Sequence, residues 1–357
     1  MENFTQTPSF STNSTSYDAD DYFYEQTKYI MQMLLVVSYS IICLLGLAGN
    51  GLVIWITSFR MKKTVNTVWF FNLALADFIF DAFLPISIVS EAMDYYWPFG
   101  KVICKVHMAV LYLNMFASIA FLTIISIDRC ISTVCPVWSN NHRTPRLATA
   151  IALVIWLMAI ITSSPYPAFH DVTYYRYMNN SISYCYNSYG ISEGDYTKDA
   201  YMKWLLRNTS MILTRFLSMF LIPFIIIVIC YTVIVLTLKR KRNLVKSSKP
   251  FKVIIAILMC FFFCWFPYHV YPVLDYVVIP FQIPWKFDMI LMPLTCILAF
   301  FNSCINPILY VFMGQDFKKK VRMSFLGVFE RAFTEGSSPL LNKTRSQLED
   351  MTEMCSL

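Results

Sequence analysis

Asp77 ends the run Asn72-Leu73-Ala74-Leu75-Ala76-Asp77, in the middle of an apolar stretch. An ionised carboxylate at the centre of such a stretch costs about 2.5 to 3.5 kcal/mol, so it needs a partner or a task. Asn114 and Ser118, one helical turn apart, and Asn302, Ser303 and Asn306 offer oxygens from two other apolar stretches. Oxygen ligands of this kind suit a small hard cation, for which sodium is the abundant candidate. A hydrogen-bonded polar cluster without an ion fits the same residue types. No other cofactor is expected. Arg215, in Leu213-Thr214-Arg215-Phe216-Leu217, is a fixed cation in an apolar wall. Either it snorkels to lipid headgroups, or it faces a cavity and holds the carboxylate of a bound molecule.

Further along, Cys264-Trp265-Phe266-Pro267-Tyr268 places a proline inside an apolar run. Such a proline removes a backbone hydrogen bond and makes a hinge. Trp265 then reads as a contact that senses how deeply a molecule is bound, with core packing as the alternative. Asp128-Arg129-Cys130 and Asn306-Pro307-Ile308-Leu309-Tyr310 add charged and proline-kinked groups to the ends of two other runs.

The elements that must position these groups are apolar and long. A bilayer core of about 30 Å takes roughly 20 residues of helix. Such runs cover residues 30–57, 66–93, 102–134, 147–169, 209–238, 250–278 and 287–312. With 57% hydrophobic and only 14% charged residues among 357, the chain is no water-soluble domain. The expected fold is all-α, a seven-transmembrane helix bundle with a short amphipathic helix beyond it. Its parts are an acidic glycosylated outer tail (1–29), the bundle (30–314), the membrane-surface helix (315–330) and a disordered inner tail (331–357).

The net charge of +7 follows topology. Arg60, Lys62 and Lys63 follow span one, His142, Arg143 and Arg146 follow span three, and Lys239 to Arg242, Lys246, Lys249 and Lys252 join spans five and six. The positive-inside rule puts these loops in the cytosol and the N-terminus outside, in a multi-pass protein of the plasma membrane. No nucleic-acid partner is expected, since the basic runs flank membrane helices. Residues 1–28 are polar and no cleavable signal peptide is expected, span one acting as the insertion signal.

Of eleven cysteines only Cys104 and Cys185 fall on the outer side, which predicts one disulfide between them. The sequons at Asn3, Asn13 and Asn179 also fall outside. Asn208-Thr209-Ser210 fits the pattern but sits at the head of span five. In Tyr17-Asp18-Ala19-Asp20-Asp21-Tyr22-Phe23-Tyr24-Glu25, acids alternate with tyrosines. This is either a solvated tail or an anionic collar, sulfated at Tyr17, Tyr22 and Tyr24, that attracts a basic protein.

These motifs together resemble the rhodopsin-like class of G-protein-coupled receptors. The resemblance rests on Gly49-Asn50, Asp77, Asp128-Arg129, Trp156, Pro223 with Tyr231, Trp265 with Pro267, and Asn306-Pro307 with Tyr310. It covers residues 30–330. It implies that an agonist in the outer cavity swings the inner end of span six outward, Tyr231 and Tyr310 moving to support Arg129 over a G protein. Cys130 stands where Tyr is commonest, and no acid at the base of span six is available to Arg129.

Met61-Lys62-Lys63-Thr64-Val65-Asn66, Trp97-Pro98-Phe99-Gly100, Ala92-Met93-Asp94-Tyr95 and Phe312-Met313-Gly314-Gln315 are similar to the chemoattractant branch, first the chemerin receptors, then the formyl peptide receptors. The resemblance implies a chemerin-like protein or peptide ligand whose C-terminal peptide enters the bundle, inhibitory-type G proteins, and a role in chemotaxis and inflammation. Arg215, Trp265, Tyr268, Tyr112 and Leu111 would line its site. Tyr112 replaces the acid of formyl peptide receptors, Leu111 the Asp of amine receptors, and Phe300 the Lys of opsins. A formyl peptide or a lipid mediator is the alternative ligand, and a scavenging receptor that internalises without G protein the alternative function.

In the tail, Phe317, Val321 and Phe325 recur at helical spacing opposite Lys318 to Lys320 and Arg322, a pattern suited to membrane lipids. Thr334, Ser337, Ser338, Thr344, Ser346 and Thr352 are candidate sites for receptor kinases, their phosphates forming an anionic strip for arrestin. A transporter lacks support, because no inverted repeat is present. An enzyme lacks it too, because no set of His, Cys and acid converges.

Overall fold

The computed structural model describes residues 14–177, 180–191, 194, 197–240, 249–278 and 283–313. Two compact units, Met1–Ile308 and Leu309–Leu357, divide the chain. Asn3, Asn13, Asn179, the helix expected over 315–330 and the tail sites Thr334, Ser337, Ser338, Thr344, Ser346 and Thr352 lie outside the described residues, as do the side chains of Tyr17 and Tyr310.

The helices are α1 (Ser14–Trp55), α2 (Val65–Ala92), α3 (Gly100–Val134), α4 (Pro136–His142), α5 (Pro145–Ser163), α6 (Pro165–Phe169), α7 (Lys198–Arg215), α8 (Ile222–Arg240), α9 (Lys249–Val273) and α10 (Trp285–Met313). Among the described residues six helices are long and apolar enough to cross a membrane: Asp21–Arg60, Val65–Ala92, Gly100–Val134, Pro145–Phe169, Lys198–Arg240 and Trp285–Pro307. The predicted sixth span corresponds to α9, 25 residues long.

Local chemistry starts several of these helices. Thr64 caps α2 reciprocally with Thr67, each hydroxyl accepting the other's backbone N–H. Thr144 caps α5 with Pro145 at its first position, and Thr197 caps α7 through the N–H of Ala200. Between α7 and α8 a π-helical turn spans Phe216–Leu221, just ahead of Pro223. The proline lacks an N–H and its ring crowds the preceding turn, so an inserted residue there relieves the clash without ending the helix.

On α5, Ala148, Ala152 and Ala159 are buried, whereas Leu153, Val154, Leu157 and Ile161 are exposed. Small residues inward and large apolar ones outward are the membrane pattern, the reverse of a soluble helix. Trp156 ties α5 to α2 by donating to Asn72 Oδ1 at 2.9 Å.

Two features accompany the helical bundle. Beside the helices, β1 (His170–Tyr177) and β2 (Asn180–Asn187) pair antiparallel, His170 opposite Asn187 and Tyr177 opposite Asn180. Tyrosines, Val172, Thr173 and Ile182 favour strands, and the Cys104–Cys185 disulfide holds the hairpin against α3. Trp97 and Ser183 add two mutual hydrogen bonds, and Lys101 pairs with Asp171 at 2.9 Å. The acidic stretch 17–25 belongs to α1, which begins at Ser14. Propagating an existing helix is easier than nucleating one, and Lys28 paired to Asp94 at 2.7 Å and Tyr24 tilted against Trp285 tie this extension to its neighbours.

Candidate functional site

Asp77 is fully buried. Ser118 Oγ donates to its Oδ1 at 2.6 Å and Asn306 Nδ2 to its Oδ2 at 2.7 Å. The Asn114 amide, oriented with its nitrogen inward, donates to Oδ1 at 3.2 Å. Four expected residues from three helices therefore meet. Ser303 does not join them: its Oγ donates to Oδ1 of a second carboxylate, Asp81, at 2.8 Å, while Asn50 donates to Asp81 Oδ2 at 3.1 Å. Asn302 is buried and lines a small neighbouring cavity.

The cause is register. One turn along α2 leads from Asp77 to Asp81, and one turn back along the antiparallel α10 leads from Asn306 to Ser303, so each carboxylate meets its own rung. Asp81 escaped the sequence reading, although its i+4 relation to Asp77 is a visible signal. Space for it comes from Gly46, where a Cβ would lie 2.1 Å from Asp81 Oδ2.

Among the described residues the buried Oδ1 atoms of Asn306 and Asn50 have no hydrogen-bond partner. An orphaned carbonyl oxygen beside a carboxylate and a hydroxyl is a donor set that fits a hard cation. Asp77, Ser118 and Asn306 would be its ligands.

Toward the hairpin, two cavities share Tyr112. The smaller is lined by Leu111, Tyr112, Trp265, Tyr268, Asn302 and Ser303. The larger, about 380 Å³, is lined by Tyr112, Tyr166, Tyr189, Asn208, Arg215 and Asp288 among others. All five residues expected at a ligand site thus line one or the other. Tyr112 stacks on Tyr166, and the Arg215 guanidinium lies 5.0 Å from the Tyr268 ring with a long 3.4 Å contact to its hydroxyl. Among the described residues Arg215 forms no ion pair, and Asp288 accepts instead from Tyr271 at 2.7 Å. Burial pushes the Tyr189 hydroxyl up to about 12, so it stays protonated and donates to Asn208 Oδ1. Trp265 is buried against His269, ring centroids 5.7 Å apart.

At the opposite end Asp128 does not rely on its neighbour Arg129. Arg143, from the segment between α4 and α5, binds it through two hydrogen bonds and also reaches Asn66 Oδ1. Arg129 has a buried Nε without a partner among the described residues. Tyr231 is buried on α8. Pro307 packs by Gly49, where a Cβ would come within 3.0 Å of its ring. Pro267 lies inside α9.

A buried polar core between apolar helices, a cavity under a disulfide-tethered hairpin and an Asp-Arg pair at the far end define a membrane receptor of one class. Residues 49–310 match the 7 transmembrane receptor (rhodopsin family), and the chain belongs to that family of G-protein-coupled receptors, not to the enzymes. Within it the chain falls in the chemoattractant branch. It is 48% identical over 295 residues to "Chemerin-like receptor 1" of Sus scrofa, covering 81% of this chain and 79% of the relative. The human "Chemerin-like receptor 1" is also 48% identical over 295 residues, covering 81% and 77%. "N-formyl peptide receptor 2" of Homo sapiens is 38% identical over 337 residues, covering 92% and 93%.

Proposed function

We propose that this chain is a plasma-membrane receptor, N-terminus outside, for a chemerin-like protein whose C-terminal peptide enters the cavity under the hairpin and ends with its carboxylate on Arg215. The observation that carries this reading is a guanidinium in a tyrosine-lined cavity with no carboxylate paired to it among the described residues. A desolvated cation of this kind is stabilised by a bidentate anion. Identity with the chemerin-like receptors supports the ligand class.

Reaching on into the smaller cavity would press on Trp265, and the proline inside α9 offers the hinge through which that pressure opens the far end. An inhibitory-type G protein would bind there, with receptor kinases and arrestin ending the signal. Because ligand and G protein both prefer the open state, the coupling is a population shift. A sodium ion on Asp77, Ser118 and Asn306 would favour the closed state by supplying the charge that the carboxylate lacks.

The test is cyclic AMP inhibition in cells expressing the full chain, challenged with chemerin's C-terminal peptide, its C-terminal amide and a formyl peptide, with and without pertussis toxin. A toxin-sensitive response to the acid, weakened by amidation in the wild type but not in Arg215→Ala, is expected. A response to the formyl peptide alone, or uptake without any second-messenger change, overturns the reading.

A further inference from the structure

Asn208 holds a buried polar group that the reading of Arg215 leaves unused. It is 5% exposed, lines the same cavity as Arg215, and among the described residues its Nδ2 has no hydrogen-bond partner. Its other amide atom is committed, since Oδ1 accepts from the Tyr189 hydroxyl. That bond fixes the amide plane and leaves the N–H donors as the orphans. Buried donors without acceptors are rare, because each forfeits its hydration without a replacement. Asn208 lines the cavity, so the missing acceptor can come from a ligand that draws the amide toward it.

The spacing says which acceptor. Asn208 and Arg215 lie seven residues apart within α7. Seven steps of about 100° return to within about 20° of the same face, and at about 1.5 Å per residue they separate the two Cα atoms by about 10.5 Å. Met211 and Ile212, which lie between them, line the cavity as well. An extended peptide advances about 3.3–3.6 Å per residue, so the same span is three of its residues. The geometry points to Asn208 Nδ2 as the donor to a backbone carbonyl of the bound peptide about three residues before its C-terminal carboxylate. This rests on the carboxylate reading of Arg215. The two donors form a ruler along α7 that reads main chain at one end and terminus at the other, leaving side-chain choice to the tyrosine walls.

The experiment is a displacement assay on membranes from cells expressing the full chain. Its probe is chemerin's C-terminal peptide with one backbone carbonyl at a time replaced by a thioamide, whose sulfur is a poor acceptor. In the wild type one substitution, about three residues from the carboxylate, is expected to weaken binding about tenfold. In Asn208→Asp, which keeps an oxygen for Tyr189 but no donor, the same substitution is expected to add no loss. Asn208→Ala carries the comparison if Asn208→Asp does not reach the surface. An equal loss in wild type and variant, or no sensitive position, overturns the assignment of Asn208 while leaving Arg215 intact if amidation still acts through it. Amidation without effect, or with equal effect in wild type and Arg215→Ala, removes the carboxylate reading and this inference together. Absence of binding by the unmodified peptide does the same.

Discussion

Arg143 holds both carboxylate oxygens of Asp128, Nε on Oδ1 at 2.6 Å and Nη2 on Oδ2 at 2.7 Å, so the segment between α4 and α5, and not the adjacent Arg129, engages that acid. Two arginines compete for one acid. In Arg143→Ala, Asp128 becomes available to Arg129, which ties Arg129 down and disfavours the open state. Agonist-free cyclic AMP inhibition should fall about fivefold, the equivalent of about 1 kcal/mol for a partly exposed pair. Arg143→Lys, which keeps the charge but not the fork, should lie between. Unchanged or increased basal signalling in Arg143→Ala would refute the competition.

Sodium sensitivity should depend on Asp77. Raising sodium at constant ionic strength is expected to weaken agonist binding to the wild type and to leave Asp77→Asn unaffected, since the neutral amide cannot offset the ion's charge. Equal sensitivity in both would remove the ion from the Asp77 cluster.

Gly46 should tolerate no side chain while Asp81 is present. A Cβ there would lie 2.1 Å from a carboxylate oxygen that is fully buried and tied to Asn50 and Ser303, so the acid cannot swing away. Gly46→Ala is expected to cut the thermal stability of the solubilised receptor by about 1–3 kcal/mol, an overpacking penalty. Adding Asp81→Ala should recover part of it by removing the obstacle. A Gly46→Ala receptor as stable as wild type would show that the two helices shift freely.

His170 should make the hairpin end acid-sensitive. Burial lowers its pKa, with Lys105 adding to the effect, while its Nδ1 donates to the Tyr166 carbonyl at 2.7 Å and so fixes the neutral tautomer. With the folded value below the unfolded one of about 6.5, the unfolded state binds more protons in between. The contribution is therefore complete above about pH 6.5 and declines as pH falls toward the folded value. Thermal unfolding between pH 7 and pH 5 should show this loss in the wild type and less of it in His170→Gln.

The sequon at Asn208 should stay unmodified, because its side chain is 5% exposed and Oδ1 is held by Tyr189. Enzymatic deglycosylation should produce the same mobility shift in wild type and Asn208→Gln. A smaller shift in the variant would mean that this amide is reachable.

The seven spans, the disulfide partners and the membrane-receptor class were legible in the chain because each rests on local or counted properties: run length, burial of charge, and the two cysteines left on the outer side. Asp77 stood out for the same reason, a charge in an apolar run. What tertiary structure alone decided was pairing between helices. That Ser303 serves Asp81 while Asn306 serves Asp77 depends on the axial register of α10 against α2, which no residue type specifies. The grip of Arg143 on Asp128 depends on how the chain after α3 folds back, and a basic loop residue looks like topology until that path is known. The hairpin was hidden because what fixes it, the Cys104–Cys185 disulfide and the bonds between Trp97 and Ser183, comes from far along the chain, and the helical stretch 14–29 because its order comes from contacts with Asp94 and Trp285. Asn208 looked like a sequon in one dimension, and only the approach of Tyr189 and the cavity wall made it a buried donor.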